Sequence, residues 1–66
     1  MITDTAFNRL SPNRKQVIDT LKVMTDPTDN PWVTEVYAAV DEAFFEKAAR
    51  IIQPHSSRLA RKMLEG

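Results

Sequence analysis

Apolar residues recur along this chain at helical rather than strand spacing. The clearest run is Val33, Val36, Tyr37, Val40, Phe44, Ala48 and Ile51, which share about 120° of arc when about 100° is added per residue. Glu35, Glu42, Glu46, Arg50 and Gln53 fall opposite. Asn30-Pro31 ahead of the run reads as a cap followed by a proline at the first helical position, and Gln53-Pro54 closes it. The spacing therefore predicts one main helix over Pro31 to Ile52, roughly 33 Å long at about 1.5 Å per residue. Acids fill its early turns, and Lys47 and Arg50 its last ones, as the helix dipole favours.

Shorter segments surround it. Ile2, Ala6, Phe7 and Leu10 define a short first helix capped by Thr3 or Asp4, which forms only if it docks. Ser11-Pro12 starts a second helix carrying Val17, Ile18, Leu21 and Met24 on one stripe; Asp26-Pro27 ends it. A last helix begins near Pro54 or Ser56 and sets Leu59, Ala60, Met63 and Leu64 against Arg58, Arg61 and Lys62. The four prolines do the punctuation; the single glycine is Gly66, and no Asn-Gly hairpin signal occurs. The expected fold is all-α, a single domain over residues 1–66. It is a small bundle of three to four helices around one long central helix, with the second helix antiparallel to it across the Pro27-to-Asn30 loop.

Composition narrows the functions open to such a bundle. Sixty-six residues bury only about 60% of the surface that the unfolded chain exposes, too small a core to enclose a deep pocket as well. With no cysteine there is no disulfide, thiolate metal site or thiol nucleophile. The longest apolar run, Val36 to Val40, is far shorter than a membrane span, and the Met-Ile-Thr-Asp start has no export signal, so the expected setting is cytoplasmic. Nine basic and nine acidic residues cancel, but unevenly. Residues 25–46 hold six acids and no base, and residues 47–66 hold five bases and one acid. A bipolar chain steers association without implying chemistry.

Catalytic and metal constellations are missing from the pattern. His55 is the only histidine, placed at a helix boundary beside Ser56 and Ser57, whose expected task is capping. The Asp26-to-Asn30 loop lacks the central glycine and distal glutamate of a calcium loop. No catalytic, cofactor-binding or metal-binding residue is expected, and the chain reads as a non-enzyme. Base readout by the long helix conflicts with Asp29, Glu35, Asp41 and Glu42 at its leading end. The last helix is different: Arg58, Arg61 and Lys62 are candidates for phosphate contact. Phe45 and Trp32 lie off the main apolar stripe and, with Ile52, form a candidate homodimer seam. Asp41 sits about 80° from the centre of that stripe, at an edge where a carboxylate is kept for a partner.

Read in order, several fragments resemble the Hha/YmoA family of small bacterial modulators of gene expression. They are Thr3-Asp4 and Arg9-Leu10, then Ile18-Asp19-Thr20-Leu21, then Tyr37-Ala38-Ala39-Val40-Asp41 with Glu46 five residues on, then Pro54 with Ser56-Ser57. The chain departs from the family pattern at Glu42-Ala43, where the family has His-Arg. Its loop before the long helix is shorter, its first connection is longer and carries Ser11-Pro12, and the family's late tryptophan is absent. The resemblance implies binding to the oligomerisation region of an H-NS-like nucleoid protein, with Asp19 and Asp41 in the places of the family's partner-facing acids. The leading expectation is a regulatory adaptor that binds another protein through the acidic flank of its long helix, using Asp19, Asp41, Glu46 and Phe45. Two alternatives remain open: a small DNA-binding protein using Arg58, Arg61 and Lys62, and a self-associating structural or phage-type inhibitor module.

Overall fold

The computed structural model describes residues 2–66, and they form five helices: α1 (Asp4–Asn8), α2 (Pro12–Met24), α3 (Trp32–Asp41), α4 (Phe45–Ile52) and α5 (Ser57–Glu65). No strand occurs among them. Three hydroxyls cap helices where local chemistry asks for it. The Thr3 hydroxyl accepts from the Ala6 amide, Ser11 from the Arg14 amide and Ser56 from the Leu59 amide. Pro12 occupies the first turn of α2, where an N–H would lack a partner anyway. Among the described residues no helix is long and apolar enough to cross a membrane.

The single helix expected over Pro31 to Ile52 is two helices, α3 and α4. Ala43 breaks it. Its φ of 62° is the only positive φ on a non-glycine residue among those described. Around it the Ala43 amide donates to the Val40 carbonyl at 3.0 Å, and the Phe44 amide reaches back to the Ala39 carbonyl at 2.8 Å. Those two bonds are the 5→2 and 6→1 pair of a Schellman C-cap, here closed on an alanine in the left-handed position that glycine ordinarily fills. Packing supplies the reason for the break. The molecule measures 27 × 22 × 19 Å along its principal axes, so a straight rod of about 33 Å would project beyond it with part of its apolar stripe uncovered.

The break also changes which residues are inside. Phe44, on the predicted stripe, is 53% exposed, whereas Ile52, placed on the flank, is fully buried. Ala48 and Ala49 are both buried, and Ile51 is only half-buried. The core joins Val17, Ile18 and Leu21 of α2 to Val33, Val36, Tyr37 and Val40 of α3, Ile52 of α4 and Met63 of α5. Helix α3 packs on α4, α4 on α5, and α5 on α2, while α1 reaches α3. The main neighbour of α2 is therefore α5, not the segment that follows it across the loop. The Asn30 cap is not formed either. Its side-chain amide donates to the Asp26 carbonyl at 3.0 Å, holding the loop, and α3 starts at Trp32 with no side-chain cap.

Candidate nucleic-acid interface

Helices α4 and α5 form a pair joined by a four-residue turn, Gln53 to Ser56. The turn is built without glycine because none of its residues needs a positive φ. Gln53 continues in the helical region (φ −49°, ψ −47°), and the amides of His55 and Ser56 both converge on the Ile52 carbonyl, at 2.8 and 2.9 Å. Ser56 then swings extended (φ −161°, ψ 101°), and its hydroxyl accepts the Leu59 amide at 3.2 Å. The chain reverses from one helix into the next in a single step. Small residues allow close approach: Ala48 and Ala49 on α4 and Ala60 on α5 are buried. Ile52 and Met63, both fully buried, complete the contact.

What this pairing leaves outside is basic. Ser57, Arg58 and Arg61 of α5 are exposed, Lys62 is half-buried, and Lys47 and Arg50 of α4 are exposed. The acids of the same segment are Glu46 and Glu65 alone. Arg58 and Arg61 are three residues apart, so they share a face of α5 that starts at its N-terminal end. That end carries the positive pole of the helix dipole, which adds to the guanidinium charges. Helix α5 is held at both ends. Ser56 caps its start, and at its close Arg14 Nε donates to the Met63 carbonyl at 2.8 Å. The same guanidinium lies 3.8 Å from the centroid of the Phe45 ring, so one α2 side chain ties α4 and α5 together.

The residues expected to meet a protein partner lie on three helices. Asp19 is exposed on α2, Asp41 ends α3, and Phe45 and Glu46 open α4. Asp41 is exposed and also holds the fold. Its Oδ1 accepts from the Thr3 amide at 3.0 Å and from the Thr3 hydroxyl at 3.1 Å, clipping the start of α1 to the end of α3. Phe45 is half-buried beneath Arg14, and its neighbour Phe44 is the exposed ring. The proposed seam of Trp32, Phe45 and Ile52 is absent for a simple reason: Ile52 is buried and Trp32 is half-buried, stacked on His55. The two rings are 3.9 Å apart and within 5° of parallel.

That stack and the Arg14 clamp are the functional geometry that sequence reasoning missed. Each joins residues far apart in the chain, and no local spacing announces such pairs. No group of three or more His, Asp or Glu side chains among the described residues is placed to hold a metal ion. Burial pushes the Tyr37 phenol above its ordinary range. No family model, no curated protein and no solved structure matches this chain. The likeness to the Hha/YmoA family therefore rests on the fragments quoted above alone.

Proposed function

We propose that this protein binds duplex DNA through the α4–α5 pair, with α5 as the helix presented to the groove. The observation that carries this reading is the pair itself. Two short helices are joined by a tight capped turn, and the exposed surface of the second carries Ser57 and Arg58 at its leading end and Arg61 at its middle. A helix–turn–helix reader sets the N-terminal residues of its second helix against base edges, while neighbouring cations hold the phosphates. Ser57 stands in the first role, and Arg58, Arg61, Lys62, Lys47 and Arg50 in the second. The acids that argued against base readout belong to the loop and α3, outside this pair. Their charge disfavours close approach of DNA along α3 and so orients the encounter.

Chemical-shift mapping with an isotope-labelled chain and a short duplex tests the proposal. Perturbations concentrated on residues 54–62 support it. Perturbations centred on α3, or none at all, would overturn it.

One observation favours a protein partner as a second reading. Asp26, Asp29, Glu35, Asp41 and Glu42 are all exposed, and the exposed Phe44 follows them in the chain. An acidic edge ending in an unburied ring suits a basic, partly apolar partner, such as the oligomerisation segment of an H-NS-like protein. Adding such a segment in the same mapping experiment separates the readings, because its footprint would fall on residues 41–46.

A further inference from the structure

A groove of about 520 Å³ runs beside the proposed DNA-facing helix, between the second half of α2, the start of α3 and the α4–α5 turn. Leu21, Met24, Leu59 and the Trp32 ring give it an apolar lining, among hydroxyl and amide side chains of α2 and the turn. Arg58 and Lys62 also line it, and the lining contains no acid. Met24 is 77% exposed although it lines the groove, a large apolar side chain with nothing over it. His55 stacks on Trp32 and holds the indole in place at the groove's edge.

We infer that this groove binds a small aromatic carboxylate, the ring lying against Trp32 and Met24 and the carboxylate meeting Arg58 and Lys62. The volume lies in the range of about 300–1,000 Å³ that small-molecule sites occupy. The lining selects the chemistry. A flat apolar body matches the indole and the polarizable thioether. A single anionic group matches two cations that have no acid beside them in the groove, and guanidinium takes a carboxylate in bidentate fashion. A neutral aromatic would leave the cations unused, and a simple anion would leave the apolar wall wet. The consequence for regulation rests on the DNA reading: Arg58 and Lys62 also belong to the proposed duplex-facing helix, so an occupied groove withdraws two cations from the phosphates.

Trp32 is the only tryptophan and lines the groove, so its emission reports occupancy directly. The intact chain is titrated with 3-phenylpropionate and, separately, with its neutral isostere 3-phenylpropan-1-ol, both transparent where indole is excited. The expected result is a saturable change with the acid binding at least about tenfold tighter than the alcohol, equivalent to about 1.4 kcal/mol. In the double variant Arg58→Gln with Lys62→Gln that preference disappears while alcohol binding is unchanged. Far-UV circular dichroism checks its fold. Should the double variant fail to fold, Lys62→Gln alone must weaken the acid selectively. No saturable change, or equal affinities for acid and alcohol, would overturn the site. A second arm adds saturating phenylpropionate to a labelled duplex complex at constant ionic strength. Weaker duplex binding supports the coupling, and unchanged binding refutes it. A chain that binds no duplex yet still discriminates acid from alcohol refutes the DNA reading and supports the site.

Discussion

Replacing Ala43 by glycine turns the break between α3 and α4 into a measurable sign. At φ 62° an L-residue brings its Cβ against the following carbonyl, at a cost of roughly 1–2 kcal/mol. Glycine removes that strain but gives the unfolded chain more freedom, a loss of about 0.4–1 kcal/mol. Little packing is surrendered, because the Ala43 side chain is exposed. The balance predicts that Ala43→Gly stabilises the fold by about 0.5–1 kcal/mol. For a domain of this size about 1 kcal/mol moves the melting midpoint by ~4–8 °C, so the expected rise is about 2–8 °C. The Schellman bonds at Val40 and Ala39 need no rearrangement to accept glycine. Had the segment been one continuous helix, the same substitution would cost about 0.5–1 kcal/mol and lower the midpoint by a similar interval. Thermal melts followed by far-UV circular dichroism distinguish the two. A lowered midpoint would refute the reasoning about the break, and with it the separation of α4 from α3.

Arg14→Ala removes both the hydrogen bond to the Met63 carbonyl and the contact over Phe45. A charged hydrogen bond contributes about 1.5–3 kcal/mol and a partly exposed cation–π contact about 0.5–1 kcal/mol, so a loss of roughly 2 kcal/mol is expected in urea unfolding. Ser56→Ala deletes the cap of α5 and should cost about 1 kcal/mol in the same assay, with glycine at that position less harmful than alanine. Tyr37 predicts an alkaline limit. Because burial raises its pKa, the folded chain keeps the phenol proton at a pH where the unfolded chain has released it. Its contribution is fully present below the unfolded value of about 10 and is lost as pH rises through the folded value. Stability measured from neutral pH upward should fall above about 10, and Tyr37→Phe should flatten that fall.

How much of this was readable beforehand differs from element to element. The helices beginning at Pro12 and near Ser56 were legible because their signals are local: a hydroxyl three residues ahead of the amide it caps, and a proline where no N–H is needed. The break at Ala43 was not. Alanine is a strong helix former, and apolar residues three and four apart continue through it without a missed beat. Only the need to fold α4 back onto α3 and α5 reveals the stop, and that need is tertiary. Once the helix breaks, the phase of the apolar stripe is lost. For that reason Phe44 and Ile52 exchange the places expected of them.

The candidate site followed the same rule. Arg58, Arg61 and Lys62 could be gathered from their spacing on one helix, and the Ser56 cap fixed where that helix starts. The bonds of Asp41 to Thr3 left no sequence signal because Thr3 lies 38 residues away. Trp32 and His55, 23 positions apart in the sequence, carried no signal of their stack. Sequence spacing reports which side chains share one helix face; it is silent on which helices meet.

The most direct test of the account is the salt dependence of duplex binding, followed by fluorescence anisotropy across a range of sodium chloride concentrations. A linear log–log decrease in affinity is predicted for the native chain, with its slope reduced by about 1 in each of Arg58→Ala and Arg61→Ala. Ala substitution of Glu35 on α3 should leave that slope unchanged. Binding that is indifferent to salt, or slopes unmoved by both arginine variants, would contradict the assignment of α5 as the helix that meets DNA.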